Sequence, residues 1–167
     1  IAIEAFSNLM KISIVDPTKE VIVTCDTSYL GTSASAHQVM PNGEKKFIAF
    51  YSKKRDPKMN VTKPGSCLLE LQGISAAVRY FIPIINDSAL MITIHTDSSS
   101  IAALYRRLVR EGVPSDSNLK INALFAEMFA QRFRIVHIPG KQLPAIDFLS
   151  RFQPFLDALP PCTTCEI

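Results

Sequence analysis

What the chain lacks narrows it first. No run of eighteen apolar residues occurs in its 167 positions, and no charged, apolar and small-residue leader opens it, so neither a membrane span nor a signal peptide is expected. No G-x-x-x-x-G-K-[ST] phosphate loop and no G-x-S-x-G elbow is present, which leaves P-loop nucleotide hydrolysis and serine hydrolysis without support. Cysteine is sparse. Of Cys25, Cys67, Cys162 and Cys165, the first two fall in core-like stretches, so a reducing compartment is expected rather than a disulfide framework. The closing PPCTTCEI holds one C-x-x-C with no second pair at zinc-finger spacing and reads as a tail. A dominant charge is missing too: 18 Lys and Arg against 15 Asp and Glu give +3, which permits a polyanionic partner without demanding one. Repeats and low-complexity segments are absent, and a first residue of Ile1 instead of Met suggests a piece excised from something longer.

What is present suits one globular domain with a full hydrophobic core, at 47% apolar and 20% charged residues. Residues 1–15 carry apolar positions at mixed helical spacing and read as a lead-in helix ending at Asp16-Pro17. VIVTCDTS (21–28), TSASAHQVM (32–40) and KKFIAFYSKK (45–54) read as an antiparallel meander, with Pro41-Asn42-Gly43 turning the second strand into the third. Residues 66–82 form a helix on which Glu70, Ile74, Ala77 and Phe81 share one phase, which puts Glu70 on the buried face or its margin. LMITIHTD (90–97) has the near-continuous apolar and β-branched character of a central strand. Ser98 to Ser100 cap a helix running to about Val109, stopped by Gly112-Val113-Pro114. A third helix from about Asn118, a strand over 133–138 and a short helix over 142–152 complete a mixed sheet with helices on its faces.

Four carboxylates occupy places where packing alone prefers other residues: Asp26 inside the first strand, Glu70 on the inward helix face, Asp97 at a central strand's end, and Asp147 between Ile146 and Phe148. Singly, each has an ordinary explanation as a cap, a turn former, a solvated flank or a helix-start acid. Jointly they do not. Neighbouring parallel strands bring Asp26 and Asp97 to one end of the sheet, where clustered acids raise each other's pKa and oppose folding unless cations compensate them. Hard oxygen donors with no Cys or paired His among them select Mg²⁺ or Mn²⁺, and two such ions suit in-line displacement at phosphorus.

Several segments resemble the ribonuclease H domain that follows reverse transcriptase in gypsy-class LTR retrotransposons. That family's T-D-A-S-x-x-G is matched by TCDTSYLG, I-A-Y-x-S-[RK]-K by IAFYSKK, and E-L-x-A-I by ELQGI from Glu70. Its Y-T-D-x-x-S is similar to HTDSSS, and R-P-G-K-x-N-x-x-A-D-x-L-S-R to IPGKQLPAIDFLSR. The resemblance covers roughly residues 19–152. It implies a lead-in from the polymerase over 1–18, an RNase H domain over 19–152 and a flexible tail over 153–167. The fold implied is α/β, an RNase H-like mixed five-stranded sheet of three antiparallel strands plus two parallel, with helices on both faces. The activity implied is endonucleolytic hydrolysis of the RNA strand of an RNA/DNA hybrid, leaving 3′-hydroxyl and 5′-phosphate ends, with two Mg²⁺ or Mn²⁺ ions. By the same resemblance Asp26 bridges both ions, Glu70 and Asp97 complete one site, and Asp147 the other.

His137 stands ten residues before Asp147, where this family has a Tyr or His, and as a histidine it is a candidate to shuttle a proton or assist product departure. His95 reads as a packed core residue and His37 as one on a surface strand. Ser66 and Cys67 stand where host-type enzymes carry amide side chains that read 2′-hydroxyls, so hybrid recognition is expected to fall to backbone groups with Ser28, Ser66 or Ser98. Arg106, Arg107, Lys53 and Lys54 are candidate phosphate contacts, with Tyr105, Arg110, Lys45, Lys46 and Arg55 beside them. The expected partners are the hybrid and the polymerase domain of the same polyprotein, with no membrane. The expected location is cytoplasmic, in a virus-like particle or replication complex, or nuclear. Two rivals stand: a non-catalytic RNase H-like scaffold or domesticated nucleic-acid-binding module, and a DNA transposase or integrase of related fold. In the latter the Glu comes last, whereas Glu70 precedes Asp97.

Overall fold

The computed structural model describes residues 13–55, 66–85, 91–112, 119–129 and 132–140, with backbone alone at 66, 119–120 and 127–129. Three strands come first, β1 (Val21–Thr27), β2 (Gly31–Val39) and β3 (Lys45–Lys54). The turn between β2 and β3 is where the sequence places it: Gly43 takes φ +82°, a left-handed conformation that costs glycine nothing. Then follow α1 (Ser66–Ile85), β4 (Ile92–Thr96), α2 (Ser99–Glu111), α3 (Leu119–Phe129) and β5 (Phe133–His137). The sheet order is β3-β2-β1-β4-β5. β1 pairs antiparallel with β2, and β2 with β3, whereas β1–β4 and β4–β5 are parallel. That is the expected mixed five-stranded sheet. The lead-in helix, the helix over 142–152 and the tail lie outside the described residues.

The alternation of β1 decides which face is packed. Val21, Val23 and Cys25 are buried against Leu71, Ile74 and Phe81 of α1, and Ile101 of α2 and Phe125 of α3 join the same cluster. Fully burying a side chain of this kind contributes about 1.5–3 kcal/mol, which makes this face the main source of stability. Over Cys67–Ile85, α1 is long and apolar enough by length and composition to cross a membrane, yet its apolar residues make up the centre of the core. The helix runs past residue 82 to Ile85 with Pro83 inside its last turn, because Ile85 is buried at 2% exposure. Ser98 caps α2, its side chain accepting from Ile101 N at 3.3 Å, and Gly112 ends the helix at φ +76°.

The opposite face is polar but not open. Thr24, Ser33, Ser35, His37 and Thr93 are all buried there. His37, expected on a surface strand, is only 4% exposed, because β2 is an interior strand that pairs His37 with Ile22 on one side and Phe47 on the other. The Phe47 ring lies 5.6 Å from the imidazole. Burial and nearby Lys45 and His95 push the His37 pKa down to about 4, so the ring is neutral at pH 7.

Candidate active site

The parallel register sets two of the acids side by side. Pairing of β1 with β4 runs to Thr24 opposite His95; Asp26 stands two residues further along β1, and Asp97 two residues beyond His95, just past the end of β4. Equal advance from that pair brings them roughly level at one end of the sheet. Glu70 reaches that end from the second turn of α1. Its pKa is raised, first by burial and then by the charges of Asp97 and Asp26, while a hydrogen bond donated by the Ser98 hydroxyl works the other way. Asp26 and Glu70 are half-buried and Asp97 is exposed. Beneath them, burial aided by the same three charges pushes the Cys25 thiol up to about 12, against a hydrogen bond with Thr27. It stays protonated and offers no thiolate. Asp147 lies outside the described residues.

Chemically, this donor set fits a hard divalent cation: three carboxylates within electrostatic reach of one another, one of them opposed by the other two, and no sulfur ligand available. The geometry is looser than the chemistry. Among the described residues no three His, Cys, Asp or Glu side chains are close enough together to hold an ion by themselves. A cation held here would take further oxygen ligands from beyond these three residues.

The other predicted residues divide by position. His137 ends β5 opposite Thr96, one residue before Asp97, and is exposed. Ile138 N donates to Thr96 O at 2.9 Å, which ties the two strand ends together beside the acid. Ser98 has its hydroxyl engaged with Glu70 and Ile101 N, and is 9% exposed, so it acts on Glu70 from within the fold. Ser28 shapes the β1–β2 turn, accepting from Leu30 N at 3.1 Å and Gly31 N at 3.4 Å. Ser66 opens α1, and its side chain is not among the described ones.

Lys53 and Lys54 pair with Thr32 and Gly31, which puts them at the acid end of the sheet, two strands from Asp26 or about 10 Å in strand spacing. Lys45 and Lys46 begin the same strand and stand about 30 Å away at the other end, so the two lysine pairs cannot share one local phosphate contact. Arg106 folds back to Ala102 O at 3.3 Å, and Arg107 pairs with Glu111 at 3.0 Å, with Arg110 on the same carboxylate. These exposed pairs are weak and can open toward a phosphate. An apolar cleft of about 410 Å³ between Val15, Ile48 and Ile84 lies at the far end of α1 from Glu70.

Two glycines enter the site without having been singled out in the sequence. A Cβ on Gly140 would stand 3.1 Å from Asp97 Oδ2, and one on Gly73 would stand 1.9 Å from Thr27 Oγ1. Both lie inside stretches quoted for the acids near them, Gly140 in IPGKQLPAIDFLSR and Gly73 in ELQGI.

Residues 16–116 match the family described as "RNase H-like domain found in reverse transcriptase". Among solved structures, RNase H1 from the halophilic archaeon Halobacterium salinarum is similar with a TM-score of 0.52 at 16% identity, over 83% of this chain and 99% of that one. Prototype foamy virus protease-reverse transcriptase is similar with a TM-score of 0.57 at 11% identity, over 82% of this chain and 17% of that one. The foamy viral protease-reverse transcriptase in complex with RNA/DNA hybrid gives a TM-score of 0.52 at 13% identity, over 93% of this chain and 18% of that one. The chain therefore spans under a fifth of the viral proteins it resembles. No curated protein sequence matches it.

Proposed function

The chain belongs to the RNase H-like domains found in reverse transcriptases, and from that membership we propose that it hydrolyses the RNA strand of RNA/DNA hybrids during reverse transcription by a gypsy-class retroelement, working beside the polymerase domain of the same polyprotein. The observation that carries the reading is the placement of Asp26, Glu70 and Asp97 at one end of the sheet, where burial first and then the charges of Asp97 and Asp26 raise the Glu70 pKa. Repulsion of that kind is tolerated where a cation is to be held.

Asp26, Glu70 and Asp97, with Asp147, are the residues that would hold two Mg²⁺ or Mn²⁺ ions. When bound, such ions supply an acidified water and charge stabilisation for the departing oxygen. The protein's own share is positional. Ser98 fixes the Glu70 carboxylate, and the level placement of Asp26 and Asp97 presents two acids to one scissile phosphate. His137, exposed at the end of the neighbouring strand, moves a proton to the departing product. Lys53 and Lys54 contact the hybrid's backbone from the same end of the sheet, and Arg106 and Arg107 from α2.

The test is cleavage of a labelled RNA/DNA hybrid with Mg²⁺ by the parent chain and by Asp97→Asn, with duplex DNA of the same sequence as control. Hybrid cleavage by the parent only is expected. For His137→Ala a slowed turnover with an unchanged melting temperature is expected. A second reading, a non-catalytic scaffold, draws on the absence of a ready-made three-ligand group among the described residues. No cleavage by the parent even when joined to its polymerase decides for that reading, and equal cleavage by Asp97→Asn removes the assigned acid site.

A further inference from the structure

The helix that carries Glu70 lies close against the sheet at Gly73. Gly73 lies one turn beyond Glu70 on the same side of α1. A Cβ there would stand 1.9 Å from Thr27 Oγ1, 2.9 Å from Thr32 Oγ1 and 3.0 Å from Thr27 Cβ. Thr27 directly follows Asp26 and is the cross-strand partner of Thr32, with the two hydroxyl oxygens 3.3 Å apart. A close approach of helix to sheet thus falls between the residue next to one acid and the residue one turn from another.

Backbone conformation does not call for glycine here. Gly73 is helical and is not among the described glycines with positive φ, and within a helix glycine is the costly choice relative to alanine. What it supplies is the missing side chain. Turning Thr27 to present its Hβ relieves the closest approach only in part, because Thr27 Cβ at 3.0 Å and Thr32 Oγ1 at 2.9 Å still crowd the added carbon. An alanine at 73 must therefore move the helix or the strand, and either movement carries Glu70 away from Asp26.

We propose that Gly73 and Thr27 are a matched positioning pair that sets the distance of the Glu70 carboxylate from Asp26, and so the divalent-cation affinity of the acid end. The proposal rests on the reading that these acids hold a cation. Neither residue touches the ion or the substrate; each acts through the acid beside it.

The test is Mn²⁺ titration of the 167-residue chain by electron paramagnetic resonance, with thermal unfolding in EDTA alongside. Gly73→Ala is expected to bind Mn²⁺ about tenfold more weakly, the size of loss seen when groups supporting metal ligands are removed. Thr27→Ala serves as the reference for the double variant, which is expected to regain part of the lost affinity because the hydroxyl at 1.9 Å is gone while Thr27 Cβ and Thr32 Oγ1 remain. Gly73→Ala binding like the parent overturns the proposal, as does a double variant that recovers its melting temperature without its affinity. Should Gly73→Ala fail to fold, Thr27→Val sets a methyl in the hydroxyl's place: a smaller loss in the same direction supports the pair, and no loss overturns it. A parent chain that takes up no Mn²⁺ removes the cation reading and this inference together, whereas uptake unaltered by Gly73→Ala removes the inference alone.

Discussion

Gly140 stands over Asp97 so closely that a Cβ on it would lie 3.1 Å from Oδ2, tighter than an ordinary van der Waals contact. The turn leaving β5 thus closes on the acid at the end of β4, held there by Ile138 N donating to Thr96 O. Gly140 is exposed, so a methyl group added at this place disturbs the acid more than the core. Gly140→Ala is expected to slow hybrid cleavage about tenfold, since small displacements of catalytic groups are costly. Its melting temperature should stay close to the parent's. Parent-like cleavage would show that Asp97 yields to the methyl without consequence.

The ionised Glu70 carboxylate costs the fold stability. Burial, with Asp97 and Asp26 adding to it against the Ser98 hydrogen bond, raises its pKa above the ordinary 4.5. A raised folded-state pKa means stability that is present below pH 4.5 and lost as pH climbs through the folded value, so part of that loss is in place at neutrality. Gln at 70 removes the charge and keeps an acceptor for Ser98. In EDTA, Glu70→Gln should melt about 2–3 °C higher than the parent, in line with roughly 1 kcal/mol for a chain of this length. It should cleave no hybrid, and Mn²⁺ should raise the parent's melting temperature but not the variant's. A variant less stable than the parent in EDTA contradicts the repulsion.

Gln38 ties the segment before β1 to the sheet. Its Nε2 donates to Asp16 O at 2.8 Å and Lys19 O at 3.0 Å, its Oε1 accepts from Asp16 N at 2.9 Å, and it is 1% exposed. Replacing it with Leu keeps similar bulk and strands three backbone groups. Gln38→Leu should cost about 3 kcal/mol in urea unfolding, with exchange protection lost across residues 16–19 first. A loss below about 1 kcal/mol would mean that water takes over those bonds.

Elements with local cause were legible in the sequence. The β2–β3 turn needs a left-handed residue and has Gly43; α2 has its cap in Ser98 and its stop in Gly112; Glu70 follows from helical phase. Features that depend on distant residues were not. α1 passes Pro83 because Ile85 finds a core to enter. His37 sits in a stretch of small residues with no apolar rhythm, and only the neighbouring strands bury it. Lys45 and Lys46 resembled Lys53 and Lys54 until β3 set them at opposite ends. The contacts Gly73–Thr27 and Gly140–Asp97 join positions 46 and 43 residues apart (73 − 27 and 140 − 97), which no periodicity signals. Where Asp147 stands relative to the three described acids is the part of the site that rests on the sequence alone.

The imidazole of His37 makes the interior sensitive to mild acid. It is buried with its Nδ1 unpartnered, and burial, then Lys45 and His95, hold its pKa at about 4 against an ordinary 6.5. A depressed folded-state pKa leaves stability intact above pH 6.5. Between 6.5 and 4 the unfolded chain takes up a proton that the folded chain refuses, and stability falls by up to about 3 kcal/mol. Carboxylates also titrate near the lower end of this window, Glu70 with the opposite sign, so the parent's curve alone does not isolate the histidine. The difference between parent and His37→Phe does, because the substitution keeps an aromatic beside Phe47 and removes only the titrating ring. Denaturant unfolding from pH 7 to 4 should show the parent losing stability faster than His37→Phe. Parallel curves would mean that the imidazole is charged or hydrated within the fold.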